Sequence, residues 1–378
     1  MDATDQQIRT VAASGLLDNA WYLASQPDVA AARLDPVYHF CKYGWREARA
    51  PNAWFDPAWY LVQNPDVAAH GLNPLVHYAT YGEREGRRPS AHFGPIWYRF
   101  AHDLPEGASP LRHYLTHRAA GRFAPCLPLY AVPHLPQYAE QDAGSDPYRR
   151  YLDEAGDADG EPAAEAALIA LSGLLDPNYY LIAGGDVREA ELDPVAHFCR
   201  YGWRENRRPN IHFNTRWYME TNPAVAKLGI NPLTHYICEG ETQGRRPAIY
   251  FDPVWYATTY RDALKATGLR PLAHYVAHRR SQALSPNQYF DAEWYVGRYG
   301  AQIGPNREAF AHYLQMGTIS DLDPSPHFDA ARYRRRHLGR LTRGFRQTLH
   351  PERNNPLVHY LHGLYSQTLI GAHAEARG

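Results

Sequence analysis

Two tryptophans stand where an aromatic ring with charged flanks could grip a sugar. They are Trp45 and Trp203, each opening a WRE step after a glycine, beside Tyr43 and Tyr201. An indole offers a flat apolar face that suits the axial hydrogens of a sugar ring. Arg46, Glu47 and Arg49 follow the first, and Arg204, Glu205, Arg207 and Arg208 follow the second. A guanidinium fork would reach hydroxyls or uronate carboxylates beside a stacked ring. Each tryptophan sits just past a glycine that reads as a helix C-cap, which places it over a surface groove. The other reading packs the indole over the next helix and pairs the arginines with Asp28, Asp66 or Asp186, because exposed indole is costly unless used. Two sites would suit a polymeric ligand, since linked weak sites gain apparent affinity.

Histidine supplies the second candidate chemistry. His39, His77, His113, His197, His235, His274, His312 and His359 recur at one place in a repeated pattern. A residue needed by every copy reads first as a fixed internal hydrogen bond, and only then as a base or ligand. The pairs His113/His117 and His274/His278 set two imidazoles one helical turn apart, a spacing that can hold a metal. The glutamate of an H-E-x-x-H site is missing and no third ligand is evident, so no metal and no cofactor is expected. There is also no glycine-rich phosphate loop, no G-x-S-x-G elbow and no catalytic cysteine context. Glu85 and Glu205 recur, but a glycosidase needs two carboxylates at a defined separation in one cleft. A non-enzymatic protein is the expectation.

The elements that must position these residues come from one repeated stretch, FDPAWYLVQNPDVAAHGLNPLVHYATYGEREGRRPSA at 55–91. Asp56-Pro57, Asn64-Pro65 and Asn73-Pro74 each give a capping acceptor followed by a proline at the first helical position. Phe55 and Tyr60 have the spacing of a hydrophobic staple, and Gly71 and Gly82 stand where left-handed helix ends want glycine. The unit therefore reads as three short helical pieces and an extended connection. Pieces this short are marginal alone and must stack, so Trp59, Tyr60, Leu61, Leu75 and Tyr78 are core candidates.

A Trp-Tyr step recurs at Trp21, Trp59, Trp97, Trp217, Trp255 and Trp294, with Tyr179 and Arg332 in the tryptophan slot of two further copies. Adjacent clear copies lie 38 or 39 residues apart, giving eight recognisable units and one worn copy near Arg150. An offset of 158 residues relates HFCKYGWRE at 39–47 to HFCRYGWRE at 197–205, so a block of about four units was duplicated whole. The expected layout is a lead-in at 1–15, a first block at 16–152, an acidic linker at 153–166, a second block at 167–326 and an Arg-rich terminal region at 327–378. That region carries eight arginines from Arg332 to Arg353 and reads as an atypical cap or a contact for an anionic protein partner.

Composition narrows the classes. The 378 residues carry a net charge of −1, which disfavours nucleic acid as a partner held by bulk attraction. Four cysteines without paired spacing read as buried free thiols. No run approaches the ~18 apolar residues of a membrane span, and the start MDATDQQIRTVAASG lacks an apolar signal core. The expected setting is the cytoplasm, with carriage outside on a phage-like particle as the second option.

The unit resembles tandem modules of the form FD-x-x-WYL-x-x-NPDVA-x-x-G-x-NPL-x-HY-x-x-x-G-x-x-EGR-x-P. These occur in bacterial proteins linked to glycosyltransferases, rhamnan-type polysaccharide synthesis and cell-surface glycans. The likeness runs from Leu16 to about Tyr365, with the third and fourth units departing most. It implies a setting of surface polysaccharide rather than a reaction. Together these readings predict an all-α, solenoid-like repeat protein that binds bacterial surface or capsular polysaccharide, including as a receptor-binding spike or fibre. A protein-interaction scaffold, or an accessory module of a glycosyltransferase system, is the alternative, with a glycan-active enzyme behind both.

Overall fold

A computed structural model of the chain describes residues 3–139, 146–155, 163–304, 307–338 and 354–375. Among the described residues the regular elements are helical and no strand forms, so the fold is all-α. No single helix among them is long and apolar enough to cross a membrane. The chain divides into two bodies, Met1–Ala167 and Leu168–Gly378. Residues 156–162 of the expected linker lie outside the described residues.

The second unit shows how the sequence makes the pieces. Asp56 Oδ1 accepts the Trp59 amide at 3.0 Å and starts the helix Pro57–Gln63. Phe55 packs on Tyr60 with ring centroids 5.5 Å apart, closing the staple. Pro65–Ala69 follows, and Gly71 then turns the chain at φ +60°. Asn73 Oδ1 caps Pro74–His77 by accepting the Leu75 amide at 3.0 Å. Tyr60, Leu75 and Tyr78 are fully buried, whereas Trp59 and Leu61 are half-buried.

The helix does not end at Gly82. It widens into a π-helical turn over Tyr78–Gly82, and the backbone stays right-handed through Glu83. Gly82 is therefore not a left-handed cap. The Tyr60 hydroxyl occupies the space a Cβ would need there, and the turn is of the kind that occurs as single π-turns within α-helices. Phe40–Gly44, Phe198–Gly202 and Tyr236–Gly240 repeat this turn, each with a tyrosine hydroxyl against its glycine.

Each unit is closed by a recurring bond. The cap residue's amide donates to the carbonyl of the proline that ends the same unit's connection, as in Asp18 to Pro51, Asp56 to Pro89 and Asp176 to Pro209. Beneath these run much longer links. In the first body Arg118 donates to Asp18 at 2.7 Å, and Trp54 Nε1 and the Tyr114 hydroxyl both donate to Asp146, at 3.0 and 3.1 Å. A solenoid in which a unit meets only its neighbours has no contact between residues 100 apart in sequence. Each body curls instead: in the second, Glu308 gathers His212 at 2.7 Å, Arg279 at 2.7 Å and Tyr275 at 2.8 Å.

The glycine argument carries a double-mutant test. Gly82→Ala should destabilise the chain by about 2 kcal/mol through overpacking, read by urea unfolding. Tyr60→Phe removes the obstructing oxygen, so the double variant should lose clearly less than the sum of the singles.

Candidate functional site

Continuation of the helix through glycine decides where the two tryptophans go. Trp45 has right-handed helical backbone, and its amide donates to Phe40 five residues back, at 3.1 Å. That register leaves the Cys41 carbonyl to the indole, whose Nε1 donates to it at 3.1 Å. Trp45 is 9% exposed, and the Arg46 guanidinium lies 4.4 Å above its ring. Trp203 repeats every part of this: 8% exposed, bonded to Cys199 at 3.1 Å, and covered by Arg204 at 4.2 Å. The expectation that these indoles face a groove as stacking platforms is overturned. They sit one turn further along a continuing helix, folded back onto it.

The trailing arginines are engaged within their own units. Arg49 bonds Glu47 at 2.6 Å, Gln26 at 2.9 Å and Asp28 at 2.8 Å, tying the end of the unit to its second helical piece. Arg207 holds Asp186 at 2.6 Å and also Glu205, and Arg87 does the same with Asp66 and Glu85. Hydrogen bonds from these arginines hold the Asp28, Asp66 and Asp186 carboxyls below their usual range. Such exposed pairs contribute little to stability. Arg208 is half-buried.

What remains at the surface is tyrosine. Tyr43 is 45% exposed and Tyr201 is 48% exposed, each four residues after the unit histidine and within 6 Å of its ring. Lys42 Nζ lies 5.2 Å from the Tyr43 ring centre and donates to the Tyr38 hydroxyl at 2.7 Å. The Arg200 guanidinium lies 5.4 Å from the Tyr201 ring. Tyr81 holds the same slot in the second unit. Arg46, Glu47, Arg204 and Glu205 are exposed around these rings. The arrangement presents an aromatic face with an adjoining cation.

The recurring histidines are internal. A tyrosine hydroxyl meets the histidine Nδ1 in the pairs Tyr22–His39, Tyr60–His77, Tyr98–His113, Tyr180–His197, Tyr218–His235, Tyr256–His274, Tyr295–His312 and Tyr333–His359, at 2.8 to 3.0 Å. Burial lowers the His235 imidazole to about 4, so it is neutral at pH 7. The His113 and His117 rings stack at 4.3 Å, but His113 Nδ1 is committed to Tyr98 and His117 Nδ1 to the His113 carbonyl at 2.8 Å. His274 and His278 are 4.7 Å apart and tilted. Among the described residues no group of three or more potential ligands is placed to hold a metal.

All four cysteines are buried and free, and burial raises the Cys41 thiol to about 11. In the Arg-rich region Arg334 is buried and clamps the carbonyls of Gly317, Thr318 and Asn354 at 3.0 Å, with Asp321. Arg332, Arg335 and Arg336 are exposed, and Arg340 to Arg353 lie outside the described residues.

Sequence reasoning missed Trp54, the indole nearest a body's centre at 1% exposed, and its counterpart His212 at 0%. A signal existed: an aromatic residue or histidine precedes the staple phenylalanine at Trp54, His92, His212, Tyr250, Tyr289 and His327. No protein-family model, curated protein or solved structure matches the chain.

Two outcomes follow from this burial. Trp45→Ala should cost about 3 kcal/mol in unfolding experiments, the scale of an emptied aromatic site, while Arg46→Ala should cost under about 1 kcal/mol. His235 has a folded pKa depressed below the ordinary 6.5, so its contribution is intact above pH 6.5 and is lost as pH falls toward about 4. The loss should reach about 3 kcal/mol, and His235→Gln should flatten that part of the stability profile.

Proposed function

We propose that the chain is a non-enzymatic binder of bacterial surface or capsular polysaccharide, and that it grips through exposed tyrosines rather than through the tryptophans beside them. The observation that carries this reading is the matched pair of surfaces, Tyr43 with Lys42 and Tyr201 with Arg200, at places 158 residues apart. A tyrosine ring offers a sugar an apolar face and a phenol, and the neighbouring cation takes hydroxyls or carboxylates. Tyr81 extends the row within the first body. Several weak contacts of one kind suit a polymer of repeated residues.

The polysaccharide setting is supported by the motif's resemblance to modules of bacterial proteins linked to glycosyltransferases and surface glycans. The repeats act in this reading as a helical framework that spaces the tyrosines. A receptor-binding spike or fibre of a phage-like particle is the working context it favours, with the exposed Arg332, Arg335 and Arg336 meeting an anionic protein partner. One observation favours a protein-scaffold reading instead: Val62 and Ile182 stand 72% and 78% exposed at the same position of two first helical pieces.

Affinity electrophoresis through gels containing acidic capsular polysaccharides separates the two. The intact chain should be retarded, Tyr43→Ala and Tyr201→Ala should each weaken binding by about 1 kcal/mol, roughly fivefold, and the double variant by about 2 kcal/mol. Migration of the folded chain that is indifferent to every polysaccharide would discard the glycan reading in favour of the scaffold.

A further inference from the structure

The first body holds a cleft of about 500 Å³, within the range of small-molecule sites. The end of the lead-in helix Ala3–Ser14, the π-turn of the second unit and the long helix Pro110–His117 of the third converge on it. Ser14, Glu83, Ser109, Arg112, His113 and His117 supply its polar lining. Most of that lining is already occupied. Ser14 donates to the Val11 carbonyl at 2.7 Å, and Glu83 Oε1 accepts the Leu111 amide at 2.9 Å and the Tyr78 hydroxyl at 3.2 Å. Arg112 is exposed, and among the described residues no carboxylate or carbonyl takes its guanidinium, which lies along Gly15. The arginines at 49, 87, 118 and 207 are all paired. The two imidazoles commit Nδ1 and keep Nε2 uncommitted.

The duplication separates what folding needs here from what it does not. Glu241 in the second body accepts the Leu272 amide and the Tyr236 hydroxyl, both at 2.8 Å, as Glu83 does in the first. That lock is common to both copies and is structural. The cleft lining is not common. Arg270 stands where Ser109 does and donates to the carbonyl of Ile237, which stands where Ala79 does, so a side chain crosses the corresponding place. Ala273 replaces Arg112 and Ala277 replaces Thr116, removing the unpaired cation and a hydroxyl. Packing alone therefore tolerates either set, and only the first body combines small residues around an unpaired guanidinium.

We propose that this cleft binds a single hexuronate residue, with the Arg112 guanidinium taking the carboxylate in a bidentate pair and the Nε2 atoms of His113 and His117 taking ring hydroxyls. The sugar half of this rests on the glycan reading above, and the carboxylate half rests on Arg112. The fork of a guanidinium matches a carboxylate in plane, which a lysine cannot reproduce. A neutral hexose leaves the guanidinium without its partner and gains much less.

Calorimetric titration of the full chain with glucuronate and galacturonate, against glucose, galactose and acetate, tests the assignment. A uronate should bind at least about tenfold more tightly than its neutral hexose and than acetate, and Arg112→Ala and Arg112→Lys should both remove that preference. Ser109→Arg, which copies the second body's residue, should block uronate; because Ser109 Oγ also caps the Arg112 amide at 3.2 Å, Ser109→Ala, which removes the cap alone, should lower the melting temperature to a similar degree and keep uronate binding. A folded chain that binds no uronate, or binds hexose or acetate equally well, overturns the proposal whether or not polysaccharide retards the protein. Uronate binding that persists while the gels show no retardation sinks the tyrosine surface and leaves the cleft standing.

Discussion

A tyrosine hydroxyl taken out of water must find a hydrogen-bond partner, and this chain meets that demand with a histidine in each of eight units. Burial raises the phenols and lowers several of the imidazoles, so both groups stay neutral and the bond carries no charge to desolvate. In four of the units a glycine makes space for the hydroxyl on the facing helix, and that helix widens into a π-turn around it. The surface follows from this one constraint. The turn sends Tyr43 and Tyr201 outward and returns Trp45 and Trp203 onto the helix, so the buried hydroxyl sets which aromatic a ligand can meet.

A second tier of buried polar groups holds units to one another. Burial pushes the Glu83, Glu241 and Asp146 carboxyls up, yet each accepts hydrogen bonds from its own and a neighbouring unit. Glu308 is buried as deeply, but His212 and Arg279 overcome that penalty and hold its carboxyl below the usual range. The two bodies thus solve one packing problem with different chemistry. Trp54 with the short Asp146 fills the place that His212 with the longer Glu308 fills in the other. A buried charge that loses one partner is costly, so such a centre specifies one arrangement more strictly than an apolar core would.

Local features were legible in the sequence because their causes are local. Asp56 and Asn73 cap as their spacing says, Phe55 staples Tyr60, and the cysteines are buried thiols, whereas Asn64 makes no capping bond and spends its amide on the Tyr60 carbonyl and Arg87. The histidine bond was legible because a polar residue repeated in every unit is a packing requirement before it is a function. Gly82 was misread, and the reason is physical. A glycine that ends a helix and a glycine that admits a side chain from elsewhere look alike in one dimension, and only the Tyr60 hydroxyl tells them apart. The error carried through to Trp45 and Trp203, whose exposure had been inferred from the supposed helix end. The curl of each body was invisible for another reason: Arg118 and Asp18 are 100 residues apart, and no periodicity names such partners.

Internal duplication supplies a comparison that a single sequence otherwise lacks. Two copies of one design share what the fold demands, here the tyrosine–histidine bonds, the capping carboxylates and the glutamate locks at Glu83 and Glu241. Where the copies keep a feature the fold does not demand, as in the exposed Tyr43 and Tyr201 with an adjoining cation, the pair is the observation on which the proposed glycan reading rests. Where they part, as at Ser109 and Arg270 or Arg112 and Ala273, one body has a cleft lining that the other has given up. Packing energy distinguishes neither case, since both residues of each differing pair are accommodated by the same backbone. The difference therefore has to be read in the chemistry of the unpaired groups. In the first body that group is the Arg112 guanidinium, which no carboxylate pairs among the described residues, and the proposed acidic-sugar site rests on it.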